Sequence, residues 1–282
     1  MPQKRRTRKK LPQLTAKNSD KFELYINAVQ SPDHEIDFVT KEFAKIRSRP
    51  LRFVREDFCG TAISACEFVK RHRENHAVAL DLDKPTLAWG MKNNVAKLDA
   101  EGQKRIKLLP RNVLTPGVDA MGVDAVLAMN FSYWIFETRE LMLNYFRVVC
   151  KSLVKDGVFF MDVHGGYEST KEMTERTKRY AGSGRWFKYV WEQKSFDPLS
   201  NHAECRIHFE FEKGPAMKDA FTYHWRVWSV PELRELLTEA GFKSVTVYLE
   251  GDDGKGGGNG VFRPKSKGDA DASFIAYMVA VK

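Results

Sequence analysis

The sequence predicts one doubly wound α/β domain, a seven-stranded and mostly parallel sheet with helices on both faces, interrupted after its fifth strand by an antiparallel β insert. Three observations carry this prediction. Runs that are apolar on both faces, such as HAVALDLD and GVFFMDV, alternate with segments of helical spacing, as in a parallel sheet covered on both sides. From Trp186 to Trp228 the grammar changes to period two, the mark of antiparallel strands with one buried face. The chain has 282 residues, 43% of them hydrophobic, which is ample for a sizeable core.

In chain order, Phe22, Tyr25, Ile26 and Val29 share one helical face, and Ser31 with Pro32 divides this segment from a second helix. LRFVRED is the first strand, and a helix over Ile63 to Arg73 follows it. HAVALDLD is the second strand, with a helix over about residues 85–98 after it, and RIKLLPRNV is the third. VDAVLAMNF is the fourth strand. Leu141, Tyr145, Val148 and Val149 recur at helical spacing after it, and Gly157 is placed to end that helix before the fifth strand, GVFFMDV.

In NHAECRIHFEFE, Cys205, Ile207, Phe209 and Phe211 alternate with Arg206, His208, Glu210 and Glu212, and WFKYVWEQ and AFTYHWRVW flank it as aromatic strands. Ser229 and Glu232 have capping-box spacing at the start of the last helix. VTVYLEG and ASFIAYMVAV complete the sheet, joined by a glycine-rich loop over residues 251–268. We therefore expect a disordered basic tail at 1–17 and a single domain over 18–282, within which 167–228 forms a substrate-side insert.

Charge and cysteine usage narrow the function classes. The formal net charge is +9, but seven basic residues and no acid lie in residues 1–17, so the remainder is nearly balanced. Such an arm suits a solubilising segment, a contact with RNA or an acidic partner, or a targeting signal. No apolar run approaches the length that spans a bilayer, and no partner membrane is expected. The four cysteines form no C-x-x-C pair, so neither a disulfide framework nor a metal site is indicated, and a reducing, cytoplasmic location is expected.

In a doubly wound sheet, ligands bind at the carboxyl ends of the strands, near the point where strand order reverses. The stretch REDFCGTAISAC stands there, with Gly60 where backbone must approach a ligand. Glu56 ends the first strand, and Asp81, 21 residues beyond Gly60, ends the second, a spacing that suits both hydroxyls of a ribose. Phe58 and Ala62 stand where a dinucleotide site needs glycine, and the neighbouring acids repel phosphate. The ligand expected here carries a ribose and a cation but no phosphate.

These residues resemble class I S-adenosylmethionine-dependent methyltransferases. EDFCGTA is similar to the first motif of that family and ALDLD to the second. RNV is similar to the third, and AMNFSYW and GVFFMDV to the fourth and fifth. The resemblance covers about residues 22–249 and implies S-adenosylmethionine as cofactor on a Rossmann-like fold. Glu56 and Gly60 would flank its methionyl part. Asp81, with Leu82 beside it, would hold the ribose; Asn112 and Val113 would lie by the adenine and Asn130 near the methionine or the reacting methyl. Phe58 and Ala62 replace the usual glycines, and Asn112 replaces the commoner Asp.

His164, directly after the fifth strand, is a candidate base or acceptor-orienting residue, and Tyr133 in the NFSY segment is the other catalytic candidate. Arg206 and His208 face either a polar substrate or solvent. Tyr223 and Trp225 share one face of their strand and His224 and Arg226 the other, and the alternation does not say which face meets the pocket. Tyr25 on the first helix is placed to close over the cofactor. The leading expectation is methyl transfer to nitrogen or oxygen of a small polar metabolite. The alternatives are an RNA or protein methyltransferase that uses the arm, and a non-catalytic scaffold on the same fold.

Overall fold

The computed structural model describes residues 12–254 and 257–282. Two helices open the fold: α1 (Lys21–Val29), capped by the Asp20 carboxylate on the N–H groups of Phe22 and Glu23, and α2 (Pro32–Arg47). The parallel core follows as β1 (Phe53–Asp57), α3 (Ile63–Arg71), β2 (His76–Asp81), α4 (Lys84–Asn93), the short α5 (Ala100–Lys104), β3 (Ile106–Pro110), β4 (Val123–Ala128), α6 (Arg139–Ser152) and β5 (Leu153–Gly165). A separate sheet of β6 (Met173–Tyr180), β7 (Trp186–Asp197), β8 (His202–Glu210) and β9 (Met217–Arg226) comes next. The chain closes with α7 (Val230–Glu239), β10 (Ser244–Asp252), β11 (Gly258–Pro264) and β12 (Phe274–Val281).

The main sheet has eight strands in the order β11-β10-β12-β5-β4-β1-β2-β3. The pairs among β3, β2, β1, β4 and β5 are parallel, and β12 lies antiparallel between β5 and β10. Strand order therefore reverses between β1 and β4, where the Gly60 turn sits. The seven expected strands are all present. The eighth, β11, arises within the glycine-rich segment expected to be a loop and pairs antiparallel with β10. Gly157 does not end α6, which stops at Ser152; it lies inside β5.

Apolar layers cover both faces. Tyr145, Phe146 and Val149 of α6 pack with Leu233 and Leu237 of α7 on one face. Ile36, Val39 and Phe43 of α2 pack with Phe68 and Val69 of α3 on the other. The period-two insert forms its own layer, with Phe187, Ile207 and Phe209 inward and packed against Leu24 of α1.

α1 thus bridges the two sheets. Its Phe22 ring lies 5.3 Å from Trp89 of α4, and Tyr25 lies 4.8 Å from Phe221 of β9. Of the tail expected to be disordered, residues 1–11 lie outside the described residues. Residues 12–17 instead pack on the insert: Leu14 is buried, and the Arg185 guanidinium donates to the Pro12 carbonyl at 2.9 Å.

Candidate functional site

At the carboxyl ends of β4 and β5, beneath the inner face of the insert, the fold forms an open cavity of about 460 Å³. Its two walls differ in chemistry. The insert contributes Tyr189, Trp191, Ile207, Tyr223 and Trp225. Tyr223 and Trp225 stack at 4.5 Å, and Trp191 lies 6.1 Å from Trp225, so the rings form one continuous surface. The main sheet and α2 contribute Glu35, Asn130, Phe131, Asp162 and His164, and Tyr25 reaches in from α1.

The polar wall is held by backbone in a demanding conformation. Asn130 and Phe131 both have positive φ, +60° and +55°, which costs a residue with a Cβ about 1 kcal/mol or more. Asp162 supports them: its Oδ2 accepts from Asn130 N at 2.7 Å and its Oδ1 from Phe131 N at 2.9 Å. Burial pushes this carboxyl up to about 7 despite those two bonds. Glu35 is also raised by burial, and its Oε2 accepts from Ser64 Oγ at 3.0 Å. Burial lowers the His164 pKa, so the ring is neutral at pH 7, and its Nε2 lies 3.2 Å from Ser273 Oγ. Burial pushes the Tyr25 hydroxyl up to about 12, with the Tyr223 hydroxyl as its partner.

The remaining cofactor candidates lie outside this cavity, along the carboxyl ends of β1 to β3. Gly60 (φ +52°) donates its N–H to Asp81 Oδ2 at 2.8 Å, and Asp81 Oδ1 accepts from Asp83 N at 2.9 Å. Leu82 beside it is 64% exposed. Glu56 is buried behind the turn, accepts from Ala65 N at 2.9 Å, and is pushed up to about 8 by burial. Asn112 Oδ1 accepts from Leu114 N at 2.9 Å, whereas the Val113 side chain belongs to the core. Phe58 and Ala62 both adopt the left-handed backbone that glycine would take, and the Phe58 ring packs against Phe136 and Tyr145 at 5.9 and 5.6 Å.

Three candidates are displaced from the cavity. Tyr133 is fully buried and donates its hydroxyl to the Asp162 carbonyl at 2.6 Å, which makes it a support rather than a catalytic group. Arg206 pairs with Glu204 and with Asp219 at 3.1 Å on the opposite face of the insert. His208 is on that face too, 3.2 Å from Glu192, because Cys205, Ile207 and Phe209 take the inward positions of β8. Tyr223 and Trp225 take the cavity side of β9.

Glu35 and Asp162 were not singled out from sequence. Asp162 carried a usable signal, as the one charge inside the apolar run GVFFMDV; Glu35, in a helix with many acids, carried none.

No protein-family model matches the chain, and no curated protein matches it. Solved structures do. A S-adenosylmethionine-dependent methyltransferase from Clostridium acetobutylicum superposes with a TM-score of 0.65 at 13% identity, covering 91% of this chain and 96% of the other. An amino pentose methyltransferase of calicheamicin biosynthesis from Micromonospora echinaspora, bound to S-adenosylmethionine, gives 0.66 at 15% identity over 92% and 94%. A sugar N-methyltransferase from a Streptoalloteichus species gives 0.64 at 14% identity over 98% of both chains. The chain has the Rossmann-like fold of these enzymes.

Proposed function

We propose that the protein transfers a methyl group from S-adenosylmethionine to a nitrogen or oxygen atom of a small polar metabolite. The observation that carries this reading is the position of the cavity. It opens at the carboxyl ends of β4 and β5, next to the strand-order reversal that holds the Gly60 turn, and under an antiparallel cover. Ligands of doubly wound sheets bind at that place.

The residues fit the cofactor on two counts. A Cβ built on Gly60 would meet only Thr86 Cγ2, at 3.9 Å, so the space over the turn is open. The Asp81 carboxylate is oriented by two backbone N–H groups and keeps lone pairs for ribose hydroxyls, and exposed Leu82 offers an apolar surface to the adenine. When bound, the cofactor supplies a methyl group on a sulfonium, whose displacement depends on alignment and dry surroundings. The chain provides both: the Trp191, Tyr223 and Trp225 wall excludes water, and neutral His164 stands ready to take a proton from an acceptor that arrives protonated. The amino pentose and sugar N-methyltransferases of like fold support a small-molecule acceptor, and four free, buried cysteines suit the cytoplasm. Among the described residues no helix is long and apolar enough to cross a membrane.

Calorimetric titration with S-adenosylmethionine and S-adenosylhomocysteine tests the reading. Micromolar binding that weakens about tenfold or more in Asp81→Ala, a loss of about 1.4 kcal/mol, is the expected result. Absence of binding in the unaltered protein overturns it and brings the scaffold alternative forward.

A further inference from the structure

The cavity is acidic in a way that a neutral or anionic acceptor does not explain. Glu35, Asp162 and Glu250 line it, and among its described lining residues there is neither lysine nor arginine. Glu35 and Asp162 are each only 7% exposed, so their ionised forms bear a desolvation cost, and the basic side chains that line the cavity are two histidines, His34 and His164, the latter with its pKa lowered by burial. The facing wall of Tyr189, Trp191, Tyr223 and Trp225 is the complementary half of a cation site, because ring faces attract an alkylated ammonium that cannot donate enough hydrogen bonds to satisfy itself in a polar pocket. The Trp225 indole N–H is buried without a partner, so this wall also holds an unused donor.

We infer that the cavity recognises its acceptor as an organic ammonium, held between Glu35 and Asp162 on one side and the Trp191, Tyr223 and Trp225 rings on the other. The word acceptor rests on the methyltransferase reading; the ammonium site itself does not. Ionised Glu35 or Asp162 would repel a carboxylate or phosphate placed in the same cavity, so the site favours a cation over an acidic metabolite. The positive centres of S-adenosylmethionine are a separate source of the same chemistry, and loading the protein with S-adenosylhomocysteine, which lacks the sulfonium, separates the two.

The test compares choline with 3,3-dimethylbutan-1-ol, its uncharged carbon isostere, by calorimetry on the full chain at pH 8, with and without S-adenosylhomocysteine. The expected result is binding of choline tighter than the isostere by about tenfold or more. Glu35→Gln should cut that preference at least about fivefold, and Arg206→Ala, on the outer face, should leave it unchanged. Equal affinity for the two probes, no choline binding at about 10 mM, or an undiminished preference in Glu35→Gln would each overturn the inference. The comparison within the unaltered protein stands even if a variant folds poorly. A choline preference without any binding of S-adenosylmethionine would sink the methyltransferase reading and keep the ammonium site; the reverse result would sink only the ammonium site.

Discussion

Arg55 and Asp57, both fully buried on β1, form an ion pair through two contacts: Nε lies 2.8 Å from Oδ1, and Nη2 donates to Oδ2 at 2.9 Å. Tyr145 of α6 donates its hydroxyl to the same Asp57 Oδ2 at 3.0 Å, and Arg55 Nη1 donates to the Ala120 carbonyl at 3.2 Å. The group therefore ties β1, just before the Phe58 turn, to α6. Asp57→Ala strands a buried guanidinium, and the expected cost is about 3–5 kcal/mol. Urea denaturation of the variant measures it. A loss below about 1 kcal/mol would mean that water reaches Arg55.

Gly90 lies inside α4, where alanine is the better helix former by about 1 kcal/mol, yet Gly90→Ala should destabilise. A Cβ at this position falls 2.5 Å from the Thr61 carbonyl oxygen, which is backbone of the turn carrying Gly60. Asn94 fixes that same oxygen through an Nδ2 bond of 2.9 Å, so the turn has little freedom to yield. The net expected loss is about 1–2 kcal/mol, with weaker S-adenosylmethionine binding as the turn shifts. Thermal melting and calorimetry of the one variant read both effects.

The parallel core was legible because strands covered on both faces leave continuous apolar runs, as in HAVALDLD, that no amphipathic element mimics. Two strands were not. β6 reads MTERTKRY, an edge strand of the insert with mostly exposed side chains and so no apolar face to reveal it. β11 reads GNGVFRP, where glycine hides a pairing made by backbone with β10. In the site, period two identified the faces of β8 and β9 but not their direction. The inward face turned out to be the one richer in large apolar groups, Ile207 and Phe209 in β8, which displaces Arg206 and His208 to the outside.

The boundary of the basic arm is measurable as stability. Leu14 is 5% exposed and packs in the insert core with Leu24, Phe187 and Phe209, and Gln13 bonds to Glu212. Removing residues 1–17 therefore deletes a core side chain worth about 1.5–3 kcal/mol, whereas removing residues 1–11 leaves these contacts in place. The expected outcome is a lower Tm for the longer deletion than for the shorter. The shorter deletion is thus the one with which to test RNA binding through the arm, since it spares the Leu14 and Gln13 contacts.

Glu56 gives the ligand-free protein a pH dependence whose sign is fixed by its burial. Desolvation raises its pKa from 4.5 to about 8, and the single bond from Ala65 N does not offset that. Because the folded state holds this proton more tightly than the unfolded chain, Glu56 favours folding below its unfolded pKa. That contribution is lost progressively as pH rises from about 4.5 to 8. Asp162, raised to about 7, acts in the same direction over the lower part of the range. Glu56→Gln keeps an oxygen for the Ala65 N–H and removes the ionisation. The variant should gain on the unaltered protein by about 1–3 kcal/mol at pH 8 and change little at pH 5. Calorimetric melts across that range decide it: a Tm difference independent of pH would mean that Glu56 is ionised in the fold throughout, with a cation or water beside it that satisfies the charge.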